Sequence, residues 1–170
     1  MERSKTVCFT GHRPNKIGGY NANHPQRVAV RDRLGAYIRE AIDDGFDTFI
    51  SGMALGIDMD AAEIVIKLRE YFPQIKLIAA VPFEGQEGMW PAQSKRQWSD
   101  ILAECDAVHY VCDPGYAAWK MQKRNEWMVD HAARVIAVWD GTAGGTGNCV
   151  NYACKAGHCE IIRIDPKEVR

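Results

Sequence analysis

Along the chain, short runs of β-branched and other apolar residues alternate with longer stretches in which apolar side chains recur every three or four positions. Six runs read as strands, at residues 5–10, 47–51, 75–81, 106–112, 134–139 and 159–164. Between the first two, Val30, Leu34, Tyr37, Ile38, Ala41 and Ile42 form one stripe, entered at Asn23 and Pro25 and closed by Gly45. That repeat predicts a helix of about five turns. Ile57, Ala61, Ile64, Val65, Leu68 and Phe72 give a second helix, with Pro73 just beyond it. A third, around 94–104, uses Trp98, Ile101 and Leu102; a fourth runs from Ala118 to Ala133, and a fifth over 147–156 stops at Gly157. Strand and helix in alternation predict an α/β protein, a Rossmann-like three-layer fold with a mostly parallel central sheet, in one domain over 1–170. The longest irregular piece, Asn15 to Pro25, is too long for a tight turn and reads as a ligand-covering loop.

Charge narrows the function classes. The 21 Lys and Arg nearly balance the 22 Asp and Glu, for a formal net charge of −1. This removes the bulk positive field on which non-specific nucleic-acid binders rely, and leaves room only for a local basic patch. No run of 18 apolar residues occurs, and Met1-Glu2-Arg3-Ser4-Lys5 leads into a strand-like segment where a signal peptide would have its hydrophobic region. The expectation is a soluble cytoplasmic protein with no membrane partner. Six cysteines are spread without a C-x-x-C pair, and the steps of five between Cys149, Cys154 and Cys159, beside His158, drift around a helix. They read as buried thiols, with no metal expected and no cofactor required.

In open parallel sheets ligands sit beyond the carboxyl ends of the strands, where helix N-termini present free N–H groups. Four such loops are unusual. After the first strand comes Thr10-Gly11-His12-Arg13-Pro14, in which Gly11 permits close backbone approach and Arg13 offers a guanidinium fork to phosphate or carboxylate. The alternatives are an ion pair for Arg13 and a space-filling role for His12. After the second comes Ser51-Gly52-Met53-Ala54-Leu55-Gly56-Ile57-Asp58, where Gly52 and Gly56 let amides converge on an oxyanion and Ser51 adds a hydroxyl. Neither a Walker motif nor the G-x-G-x-x-G fingerprint is present. Asp58 reads either as a helix cap or as a ribose contact. After the third, Glu84 stands in Pro82-Phe83-Glu84-Gly85-Gln86 as a carboxylate for ribose binding or acid/base work, or as a plain surface residue. After the fifth, Asp140-Gly141-Thr142-Ala143-Gly144-Gly145-Thr146-Gly147 is costly to order unless backbone must approach a ligand, and Thr142 and Thr146 could donate to phosphate oxygens. Arg124 and Asn125, on the fourth helix, reach this region if that helix starts near it.

These motifs together resemble the SLOG superfamily, the Rossmann-like group that joins the DprA/Smf DNA-processing proteins to the LOG cytokinin-activating phosphoribohydrolases. Thr10-Gly11-His12-Arg13-Pro14 is similar to the opening of its YpsA/YoqJ-like branch, found in bacteria and phages. Ser51 to Asp58 is similar to the DprA turn; Arg124-Asn125 through Asp130, with Asp140-Gly141-Thr142 and Gly144-Gly145-Thr146, fits the YoqJ-like pattern. The resemblance covers nearly the whole chain. It implies a pocket for nucleotides, nucleotide sugars or related signals, and a homodimer would be in keeping with it. The chain departs from the LOG Pro-Gly-Gly-x-Gly-Thr motif, since no proline precedes residues 141–148 and Cys149-Val150-Asn151-Tyr152 follows without the LOG glutamate. The leading expectation is therefore a nucleotide-derived, phosphate-bearing small ligand. An N-glycosidic hydrolase using Glu84 or Asp58 is the second. A DprA-like single-stranded DNA or protein-interaction module is the third, with Arg13, Lys95, Arg96, Lys120, Lys123 and Arg124 beside Trp90 or Trp119.

Overall fold

A computed structural model describes residues 1–169. Six strands, β1 (Thr6–Gly11), β2 (Thr48–Ser51), β3 (Lys76–Val81), β4 (Ala107–Tyr110), β5 (Arg134–Val138) and β6 (Glu160–Ile164), form one sheet in the order β4-β3-β2-β1-β5-β6. Every neighbouring pair is parallel, with Cys8 of β1 opposite Ile50 of β2 and Val135 of β5. Five helices connect them: α1 (Pro25–Asp43), α2 (Ile57–Leu68), α3 (Ala92–Glu104), α4 (Ala118–Asp130) and α5 (Gly145–Ala156). This is the Rossmann-like α/β fold that the sequence predicts.

The period-2 geometry of the strands divides their side chains between two cores. Val7, Phe9, Phe49, Leu77, Ala79, Ile136 and Val138 pack with Val30, Leu34 and Ile38 of α1, Ala61 and Val65 of α2, and Trp98 and Ile101 of α3. Cys8, Ile50, Ala80, Val135 and Ala137 pack with Met128 and Val129 of α4 and with Cys149, Val150 and Ala153 of α5. Right-handed crossovers account for the split. The chain steps from β1 to β4 in one direction, then returns through α4 to the far side of β1, so its last two helices fall on the other face. The reversal makes β1 and β5 the switch point, where the loops leaving two adjacent strands part and open a crevice.

Several boundaries move for physical reasons. The fourth helix ends at Asp130 and not at Ala133, because Ala133 N–H already donates to the Thr6 carbonyl of the sheet at 2.9 Å. The first is capped by the His24 imidazole, which accepts from Gln26 N–H at 3.2 Å, so Asn23 lies outside it. The fifth starts at Gly145, two residues before the expected position. All six cysteines are free; Cys8 and Cys149 are buried as expected, whereas Cys154 is exposed on α5. Among the described residues no helix is long and apolar enough to cross a membrane.

One buried ion pair ties the irregular segment before α1 to the helical layer. Arg27 Nη2 lies 2.8 and 2.7 Å from the two carboxylate oxygens of Asp60 on α2, and Arg27 Nη1 donates to the Gly19 carbonyl at 3.0 Å. Both side chains are buried. Arg27→Met is expected to lower the unfolding free energy by about 3 to 5 kcal/mol, since it strands a buried carboxylate, and Arg27→Met/Asp60→Leu to recover most of that loss. Urea midpoints of the two variants check it, and a double variant no more stable than the single would contradict it.

Candidate functional site

The β5 exit builds one wall. Trp139 Nε1 donates to the Thr142 carbonyl at 2.8 Å, and the Asp140 carboxylate accepts from Thr142 N–H at 3.0 Å and from its hydroxyl at 2.5 Å, which folds residues 139–142 into a tight turn. Gly144 then occupies the N-cap of α5 and supplies no side-chain cap. The first bond of the helix is Asn148 N–H to the Gly144 carbonyl at 2.9 Å. The N–H groups of Gly145, Thr146 and Gly147 have no acceptor among the described residues. Three orphan donors at the positive end of a helix dipole make a cradle for an oxyanion. A Cβ built on Gly144 or Gly145 would meet nothing within 4 Å, so this surface is open.

The β1 exit builds the facing wall. His12 is buried, and its Nε2 lies 2.9 Å from the Asp140 carboxylate and 2.9 Å from the Asp140 backbone nitrogen. That contact clamps the loops after β1 and β5 together. Burial pulls the imidazole below its usual pKa, an effect the Asp140 carboxylate offsets only in part. Asp140 itself is held far below the usual carboxylate range, first by the Thr142 hydroxyl and amide and then by His12. Arg13 is exposed and makes no ion pair among the described residues, which leaves its guanidinium free. Lys16 Nζ donates to the Thr142 hydroxyl at 2.6 Å and so spans the mouth from one loop to the other.

The floor comes from the turn after β2 and from α4. Arg124 Nη1 donates to the Gly52 carbonyl, and Arg124 Nε to the Asn125 side-chain oxygen at 2.9 Å. Asp58 accepts from Ala54 N–H at 3.2 Å. A Cβ at Gly52 would stand 2.8 Å from both Arg124 Nη1 and Asp58 Oδ2, so only glycine lets these two groups approach. Burial pushes the Asp58 carboxyl up against the opposing pull of Arg124. Met53, whose φ of 59° is left-handed, sits in the same turn with its N–H on the Ser51 hydroxyl at 3.2 Å. The turn meets the β1 exit backbone to backbone: a Cβ at Gly56, where φ is 92°, would lie 2.6 Å from the His12 carbonyl.

A cavity of about 390 Å³ lies between these walls. Thr10, Gly11, His12, Arg13, Asp58, Arg124, Asn125, Thr142, Gly144, Gly145 and Thr146 all line it. Six candidates do not. Ser51 is fully buried and its hydroxyl is used up on the Asp58 carbonyl at 2.8 Å and on Met53 N–H. Gly52 and Gly56 work beneath the cavity, as spacers for the floor. Asp140 and Gly141 shape the turn from behind, the carboxylate being saturated by His12 and Thr142. Glu84 is exposed in the loop after β3 and lines no wall of this cavity; buried Gln86, two residues on, is the side chain of that loop that turns inward, to the Gly52 carbonyl at 3.3 Å. The lining also includes Lys16, Ala118 and Met121, none of them singled out in the sequence. Lys16 had one signal, its place in the loop read as a ligand cover; Ala118 and Met121 had none, because their role depends on where α4 begins. Among the described residues no three His, Cys, Asp or Glu side chains converge as a metal site requires.

The chain as a whole has relatives among known proteins. Residues 7–162 match the family described as the YspA SLOG family. The SPbeta prophage-derived protein YoqJ of Bacillus subtilis is 38% identical over 157 residues, covering 84% of this chain and 91% of that protein. The DNA processing protein A structure from Streptococcus pneumoniae superimposes with a TM-score of 0.63 at 17% identity, over 95% of this chain and 50% of that one. That of Helicobacter pylori, described for its single-stranded DNA binding mode, gives 0.62 at 16%, over 94% and 65%. The chain thus spans about half to two thirds of these structural neighbours, and the likeness to them is one of fold.

The His12 clamp has a pH signature. With its folded-state pKa below the unfolded value of about 6.5, the unfolded chain takes up the proton first as pH falls. Its contribution to stability is therefore complete above about pH 6.5 and is lost as pH drops below that toward the folded pKa. Between pH 7.5 and 5.5 the unfolding free energy of the native chain should fall more than that of His12→Gln in urea titrations; equal slopes would remove His12 as the source.

Proposed function

The chain belongs to the YspA SLOG family, and on that premise we propose that it binds a nucleotide-derived, phosphate-bearing small ligand, of nucleotide, ADP-ribose or nucleotide-sugar type, as a sensor or signalling domain. The observation that carries the reading is the uncapped start of α5, whose three free amides face the same cavity as Arg13 and Lys16. Amides supply directed donors that need no reorganisation, while the two cations neutralise the charge a phosphate brings. Asp58 and Asn125, on the floor, are placed to accept from and donate to ribose hydroxyls. A recess of this volume suits one small molecule better than a strand tracked along a surface. For that reason single-stranded DNA, the ligand named for the Helicobacter pylori neighbour, is the less favoured partner here.

A second reading rests on Asp58 alone. Burial favours its protonated form, which is the form a general acid needs to protonate a departing base while water adds its hydroxyl to the anomeric carbon and returns a proton to the carboxylate. Release of free base from AMP or NAD, abolished by Asp58→Asn, would mark a hydrolase; binding without release leaves the sensor. Glu84 is exposed and lines no wall of this cavity, so neither version is built on it.

Ligand saturation at 100 times Kd stabilises a fold by about 2.7 kcal/mol, which for a chain of this length is about 5 to 10 °C in Tm. A panel of AMP, ADP-ribose, NAD and cyclic nucleotides should give such a rise with at least one member. Gly145→Asp should remove it while leaving the Tm of the free protein unchanged or higher: the new side chain enters open space, suits the helix N-terminus and repels the ligand phosphate. No rise with any member, or a rise that survives Gly145→Asp, would count against the amide cradle.

A further inference from the structure

We infer that the base of the ligand held at the α5 amides occupies a second, aromatic-walled chamber beside the first; the inference rests on the nucleotide-binding reading above and adds to it the subsite for the base. The second chamber has a volume of about 440 Å³ and shares Arg13, Ala118 and Met121 with the first, so the two adjoin across these three residues. Their chemistry differs sharply. Where the first chamber offers amides and cations, the second is walled by Phe83, Met89, Trp90 and Tyr116. A sugar phosphate would fill the first chamber and leave the second to water, whereas a nucleoside phosphate has the length and the two-sided character to fill both.

The aromatic chamber is built, not merely apolar. Tyr116 is 76% exposed and Met89 98% exposed, yet both border this one recess. The Tyr116 ring stands edge-on to Phe83, with centroids 6.0 Å apart and planes at 85°, and Phe83 itself is buried. The loop that carries Tyr116 is fixed by the buried ammonium of Lys120, which donates to the carbonyls of Asp113 and Gly115, each at 2.7 Å. That ammonium has no carboxylate partner among the described residues. The Phe83 and Trp119 rings, 5.8 and 5.7 Å from that ammonium, complete its surroundings, and what it secures is the position of Tyr116. Two aromatic rings at a fixed angle and two thioethers that adapt to the ring between them form a platform for a base, which is recognised by its face and not by its edge. Arg13, at the junction, can turn its guanidinium plane to the base and its N–H groups to the phosphate.

Isothermal titration of the whole chain with AMP, ribose 5-phosphate and inorganic phosphate tests the inference. AMP should bind at least about fivefold more tightly than ribose 5-phosphate, the lower end for stacking one base. Tyr116→Ala, a truncation at an exposed position, should erase that gap without weakening ribose 5-phosphate, and Tyr116→Phe should restore it. Equal binding of AMP and ribose 5-phosphate, unmoved by Tyr116→Ala, would overturn the aromatic subsite and leave the phosphate cradle standing. Failure of all three probes to bind would overturn the cradle and the subsite together.

Discussion

The contact between His12 and Asp140 holds the site together. At the switch point of a parallel sheet the loops leaving two adjacent strands diverge, and the backbone ladder of β1 and β5 ends with His12 N–H on the Val138 carbonyl at 3.2 Å. A buried imidazole 2.9 Å from a carboxylate that is also saturated by Thr142 supplies the restraint past that bond. Because Asp140 is engaged on one side, the turn behind it is fixed, and α5 is entered through Gly144 at the N-cap, without a capping side chain. The free amides of the first turn are thus a consequence of how the preceding turn is tied down. A serine or aspartate at the cap would satisfy one of them internally.

The floor shows the same economy. Arg124 is buried with its guanidinium on the Gly52 carbonyl, and Asp58 is buried with its carboxylate on the Ala54 amide. Neither charge is left without partners, yet both border the cavity. Their approach is possible only because residue 52 lacks a side chain, and the turn that presents them carries a left-handed Met53, held by complete burial of its side chain and by the Ser51 hydroxyl. A left-handed non-glycine residue is costly, and such conformations persist where the surroundings over-determine them. With the Asp58 carboxyl pushed toward its neutral form, Arg124 on the floor adds to the positive field that Arg13, Lys16 and the α5 dipole set in the cavity.

Much of this was legible before the structure. The strand and helix periods marked the six strands and five α-helices, though not the short 3-10 turns at Arg3–Lys5 and Pro14–Lys16, and the glycine-rich stretch after Val138 marked the open start of α5, because such a stretch is expensive to order without a reason. Residues whose task was to pack or to space were harder to read. Ser51 looked like a ligand hydroxyl, since its type and place suit one, but complete burial turned it to its own turn. Glu84 was the only carboxylate of its loop up to Gly85, yet that loop turns Gln86 inward and leaves Glu84 in solvent. Met121 and Ala118 carry no chemical signature at all, and they join the two chambers because α4 crosses from β4 back to the centre of the sheet.

What the amino-acid order settles by itself is local: which segments are strands or helices, where backbone is free to bend, and which charges stand at strand ends. Periodicity and glycine placement act over a few residues, and a few residues suffice to read them. Which of those ends meet is a property of the strand order β4-β3-β2-β1-β5-β6, which sets residues 12 and 140 against each other across 128 positions of chain. Only the tertiary structure decides that, because register and crossover depend on the summed packing of both faces of the sheet and on no single stretch of it.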